Sequence, residues 1–198
     1  RLDYILKYGL AILFAIVLLA LIGVITYQRM REVKLEHEEK LRQMIDHDPL
    51  TGLLSMSGFR KRVNALLREY PDSPYFLSYN NIRDFKFIND SFGREAGDEL
   101  LKYRAAKTME NLSDQEAACR ADGDHFVVLR RIENEETMRR DEETVFKPVR
   151  NYFINRGKDN LVSICSGIYV LSPKDFRNID VDHMLDLARV AEKKIHYS

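Results

Sequence analysis

Uncharged residues, mostly Leu, Ile, Val and Ala, run without interruption from Tyr8 to Gln28. A helix of that length crosses the roughly 30 Å hydrocarbon core of a bilayer, so residues 8–28 are expected to span a membrane. The stretch is longer than the apolar region of a cleaved signal peptide, and no small-residue cleavage site follows it. Arg29, Arg31 and Lys34 follow closely, against Arg1 and Lys7, with Asp3, before it. That bias puts the C-terminal side in the cytoplasm and leaves residues 1–7 as a short extracytoplasmic flank. Over residues 29–47 the pattern changes: Met30, Val33, His37, Leu41 and Met44 recur at spacings of three and four among charges. The membrane helix is therefore expected to continue as an amphipathic rod, either a seam that pairs with a second copy or a solvated linker.

From residue 48 to 198 helical and strand periods alternate. Ser55 is placed to cap a helix whose apolar face is Met56, Phe59, Val63, Leu66, Leu67 and Tyr70. Pro71 and Pro74 end it, and Tyr75–Tyr79 reads as a buried strand. Leu101, Ala105, Thr108 and Leu112 form one side of a helix over residues 97–112. Two apolar runs, Ala117–Cys119 and Val127–Leu129, flank Asp122-Gly123, a pair tolerant of positive φ, which predicts a β-hairpin turning there. Val145, Val149, Tyr152 and Phe153 predict a further helix, and the β-branched run Leu161–Leu171 a central strand stopped by Pro173. Asp180 and Asp182 open a last helix with Met184, Ala188, Ala191 and Ile195 inward, and Lys193, Lys194 and His196 close it, charges that suit the helix dipole.

Composition narrows the function classes. Lys plus Arg and Asp plus Glu both number 31, so no basic field points to nucleic acid. Cys119 and Cys165 sit in apolar runs and read as small core residues in a reducing compartment. His37 and His47 lack a metal-ligand partner pattern and read as polar surface; Arg130-Arg131 and Arg139-Arg140, with acids between, read as a solvated mixed-charge loop and helix start. The chain opens at Arg1 rather than Met, so a fragment of a longer protein is expected.

Four motifs stand at fixed spacings: Asp48-Pro-Leu-Thr-Gly-Leu53; Asn81-Ile-Arg-Asp-Phe-Lys-Phe-Ile-Asn-Asp90; Glu95-Ala-Gly-Asp98; and Arg120-Ala-Asp-Gly-Asp-His-Phe126. Together they resemble the signatures of the GGDEF family, bacterial diguanylate cyclases that join two GTP molecules into cyclic di-GMP. The resemblance covers about three quarters of the chain. It implies an α/β, palm-like α+β domain, a mainly antiparallel sheet flanked by helices, behind one transmembrane helix. It also implies that Asn89 and Asp98 hydrogen-bond a guanine base, with Phe85, Lys86 and Gly123 beside the nucleotide. For Asn89-Asp90 a turn, and for Asp98 a helix-start acid, are the structural readings of the same residues.

The implied metal site departs from the pattern. The resemblance places two magnesium ions on the residue at Asn81, the carbonyl at Ile82 and the acid at Asp124. Here the first acid has become Asn81, the second Arg83, and the acid after Asp124 is His125. The first hairpin glycine has become Asp122, beside a polyanionic ligand; unit charges about 4 Å apart repel by roughly 4 kcal/mol at a surface-like dielectric. Arg83 and Asp122 are expected to pair in place of the ion. Glu192 stands where the family's phosphate-binding Lys belongs and His196 where its Arg belongs, with Lys193 adjacent, and the product-inhibition motif that would fall at Ser113–Glu116 is absent. The expected function is a catalytically degenerate, cytosolic GGDEF module anchored in the cell membrane. It binds GTP or GDP weakly and needs no cofactor. It pairs with a second copy through the linker helix and the domain, and it regulates an EAL-like output domain. The signature Asp122, Gly123, Asp124, His125 and Phe126 is then non-catalytic. The alternative is an active, magnesium-dependent diguanylate cyclase.

Overall fold

In the computed structural model, residues 2–134, 136–158 and 162–196 are described, and the chain divides into two compact units, residues 1–43 and 44–198. Helix α1 (Leu2–Asp46) is continuous, and its stretch from Tyr8 is apolar enough to cross a membrane. The apolar side chains described between Tyr8 and Ile25 are exposed along it.

The second unit is a four-stranded antiparallel sheet, ordered β2-β3-β1-β4, with helices on both faces. Helix α2 (Met56–Glu69) starts at Ser55, whose Oγ accepts from Gly58 N at 3.2 Å, and it buries Phe59, Val63, Leu66 and Leu67. Strand β1 (Tyr75–Ile82) continues three residues past the expected end because it is paired on both sides, by β3 (His125–Arg131) and β4 (Ile164–Val170). Helices α3 (Phe85–Phe92) and α4 (Arg94–Glu110) follow, then β2 (Ala117–Asp122). Period-two alternation splits the core: Leu77, Tyr79, Val127 and Leu129 meet α2 and α8 (Val181–His196), while Ile82, Phe126 and Val128 meet α4. Cys119 and Cys165 are buried and free.

Three expectations change. The hairpin turns at Gly123-Asp124, one residue later than expected, because a register shift between Arg120 and Asp122 lets Asp122 end β2 opposite His125; Gly123, at φ 48°, takes the strained position. The helix expected through residues 145–153 is broken into α5 (Thr137–Asp141), a π-helical turn (Glu142–Phe146), α6 (Lys147–Arg150) and a 3-10 turn (Ile154–Arg156). Pro148 offers no N–H and crowds the carbonyl four residues back, which widens the preceding turn. Strand β4 lies at an edge of the sheet, leaving Ile168 and Val170 exposed; Leu161 and the Ile195 and His196 side chains lie outside what is described.

Candidate functional site

The signature hairpin is clamped to the turn that precedes α2. Arg120 Nε donates to Gly123 O at 2.7 Å, and its NH1 reaches both Asp48 carboxylate oxygens at 3.3 Å. Asp48 Oδ2 also accepts from Thr51 N at 2.8 Å and Thr51 Oγ1 at 2.6 Å. Burial pulls the Asp48 carboxyl up, but the Thr51 bonds and the Arg120 charge outweigh it and hold the group below its ordinary value. Leu54 adds a bridge to Cys119 on the outer edge of β2, so two motifs 72 residues apart form one unit.

Sheet register brings Ile82 beside Asp124, and Ile82 N–H donates to Asp124 Oδ2 at 2.9 Å. Asn81 precedes it, with Oδ1 buried and unpartnered. Beneath the hairpin lies a cation that no local pattern announced. Arg104, fully buried, stacks its guanidinium 4.1 Å from the Phe126 ring centre and donates from NH1 to Asp124 O at 3.5 Å. Burial pushes Arg104 down to about 9, and the charges of Asp124 and Asp141 oppose that fall. His125 Nδ1 lies 3.0 Å from Asp122 Oδ1 and 3.9 Å from Asp124 Oδ1, with its ring tilted on Tyr79 at 5.5 Å.

The expected Arg83–Asp122 pair does not form. The displaced turn sets exposed Asp122 against His125, while Arg83 Nε is buried without a partner. Glu192, at the phosphate-Lys position, is buried with Oε1 unpartnered. Burial raises the nearby Tyr79 phenol; the Arg189 charge opposes that rise, and Asp122 and Glu192 add to it.

These residues do not fit two magnesium ions. Magnesium prefers several hard oxygen ligands, usually including carboxylates. Among the described residues no three His, Cys, Asp or Glu groups gather to hold a metal. Asp124 is the carboxylate available, and it is already engaged by Ile82 N–H and faced by Arg104.

The base-binding candidates lie at the crossing of α3 and α4. Asp84, the N-cap of α3, is the one non-glycine residue at positive φ among those described (φ 55°, ψ 33°), a conformation costing about 1–2 kcal/mol. Asn89 and Phe85 both press on buried Gly97, where a Cβ would collide with Asn89 Oδ1 and crowd the Phe85 ring. The next residue, Asp98, is exposed, as is Lys86. Asn89 and Asp98 thus both belong to helix segments rather than turns and flank one close helix contact, whereas Gly123 sits in the hairpin turn with its carbonyl held by Arg120.

Within the mixed-charge segment Glu133, Glu136 and Arg139 are exposed as expected, but Arg130 is not. Arg130 is fully buried, donating to Glu116 Oε2 at 2.8 Å, Asp141 Oδ1 at 2.6 Å and Asn111 O at 2.6 Å, and Arg140 reaches Glu116 Oε1 at 2.5 Å. At the end of the Ser113–Glu116 segment a carboxylate is therefore spent on internal pairs rather than offered to a ligand.

With this geometry, comparisons place the chain. A probable diguanylate cyclase, DgcE of Escherichia coli K12, is 29% identical over 164 residues, covering 80% of this chain and 15% of that protein, so the chain spans a small part of that relative. The crystallised coiled coil and GGDEF domain of DgcB from Caulobacter crescentus, in complex with c-di-GMP, superposes with TM-score 0.69 at 20% identity, over 86% of this chain and 90% of that one. The S helix-GGDEF-EAL structure of Vibrio cholerae LapD, bound to c-di-GMP, gives 0.65 at 15% identity, over 84% and 38%. Residues 45–194 match the family model described as diguanylate cyclase, GGDEF domain, and the chain belongs to the GGDEF family.

Proposed function

We propose that this chain is a membrane-anchored GGDEF module of cyclic di-GMP signalling that binds a guanine nucleotide and regulates, without synthesising cyclic di-GMP. The observation that carries the reading is the state of Asp124, whose carboxylate already accepts from Ile82 N–H and faces His125, and whose backbone carbonyl accepts from buried Arg104. In-line phosphoryl transfer takes little covalent help from a protein and depends on cations that polarise the phosphates and activate the attacking hydroxyl. Arg83 and the neutral Asn81 supply no substitute anion for such cations. The retained Asn89 and Asp98 offer an amide and a carboxylate, which match the donors and acceptors along a guanine edge. The exposed stripe of Met30, Val33, His37 and Leu41 supports pairing of two copies through the linker helix, and the apolar run from Tyr8 supports a membrane location with the domain in the cytosol. Regulation of an EAL-like output domain is supported by the likeness to LapD, a structure that joins a GGDEF to an EAL domain. A titration of the full chain in detergent tests the nucleotide part. GTP or GDP should bind more tightly than ATP, and Asp98→Ala should abolish the preference; equal affinity for GTP and ATP overturns the reading.

A further inference from the structure

The seat implied for magnesium is populated by the protein's own donors. Arg104 donates from inside the core to the Asp124 backbone carbonyl at 3.5 Å. Arg83, two residues past Asn81, has its Nε shielded from solvent and unpartnered, and no carboxylate among the described residues pairs with its guanidinium. Asn81 differs from a carboxylate in being able to turn an NH2 group, rather than only an acceptor, toward an anionic oxygen. Both lie just before α3, whose Asp84 N-cap makes no side-chain capping bond; Phe87 N–H is held by Asp84 O at 2.8 Å, which leaves the Phe85 and Lys86 N–H groups at the helix start open. A buried donor without a partner is costly, and an uncapped helix start beside a guanidinium favours a phosphate.

We infer that this chain holds the phosphates of its nucleotide without a divalent cation, Arg83, Asn81 and the start of α3 supplying the positive potential that magnesium would otherwise provide. The inference rests on the guanine-nucleotide reading above and adds the form of the ligand: a metal-free nucleoside phosphate.

The test is calorimetric titration of GDP and GTP into the full chain in detergent, once with excess magnesium and once with EDTA. Affinity in EDTA should lie within about threefold of that in magnesium; a loss of about tenfold or more on chelation overturns the inference. Arg83→Asp, which restores a carboxylate, should weaken binding in EDTA by roughly ten- to a hundredfold, the effect of one charge-assisted hydrogen bond, and should recover part of it when magnesium is added. Unchanged binding by Arg83→Asp in EDTA also overturns it. If that variant fails to fold, the EDTA comparison on the unaltered chain decides alone. Binding seen with magnesium only removes this inference and leaves the nucleotide reading intact; no guanine-nucleotide binding in either buffer removes both.

Discussion

Glu116 carries four polar contacts at once, to Arg130, Arg140 and the Ser113 and Arg131 amides, in a nearly solvent-free site. Removing one partner of a buried pair leaves the other charge uncompensated, so Glu116→Gln should destabilise the domain by about 3 kcal/mol, read by urea unfolding. Burial raises the Glu116 carboxyl, but its backbone bond and the Arg130 and Arg140 partners hold it below the ordinary 4.5. Its folded value being lower than its unfolded one, its stabilisation is complete above about pH 4.5 and is lost as pH falls below that. Wild-type unfolding midpoints should therefore drop on acidification through that window, and Glu116→Gln should flatten the drop. None of this was legible in the sequence. Charged residues at positions 116, 130 and 141 show their charge but not their burial, because the partners come from different elements and share no period. The same holds for Asp48 with Arg120 and for Arg104 beneath Phe126, whereas Asn81, Asn89, Asp98 and Asp124 could be singled out because motif spacing ties each to its neighbours.

At the scale of elements, strands and amphipathic helices were readable wherever one side was apolar, as in α2 and β1. The misreadings have local causes. An Asp-Gly pair followed by Asp allows two turn placements, and cross-strand register chose the later one. An apolar pattern through Val145 and Val149 hid the breaker Pro148, and a β-branched run did not reveal that β4 has one neighbour. Two glycines make the packing testable. Gly167 lies under α8 so closely that a Cβ would strike the Glu192 N and Ala188 O backbone atoms. Neither can move without shifting the helix, so Gly167→Ala should cost about 3 kcal/mol or prevent folding, read by thermal unfolding. At Gly97 the obstacle is the end of the Asn89 side chain, which can swing away. Gly97→Ala should keep the fold by circular dichroism yet weaken guanine-nucleotide binding at least about tenfold, the loss of one or two hydrogen bonds; retained binding would show that Asn89 is a packing residue.

Across the whole molecule, the apolar stretch from Tyr8 and the basic residues that follow it set the expected topology, with residues 48–198 in the cytosol. Protease added outside intact cells should leave the domain uncut, and cleavage there would mean the opposite orientation. The proposal that this GGDEF domain does not turn over GTP rests on Asp124, whose carboxylate accepts from Ile82 N–H and whose backbone carbonyl accepts from buried Arg104. The direct measurement is cyclic di-GMP formed by the full chain reconstituted at high density in lipid nanodiscs or vesicles, so that two copies meet, with GTP and either magnesium or manganese. No product above a protein-free control is expected while guanine-nucleotide binding persists; cyclic di-GMP accumulating over many turnovers per chain would overturn the non-catalytic reading.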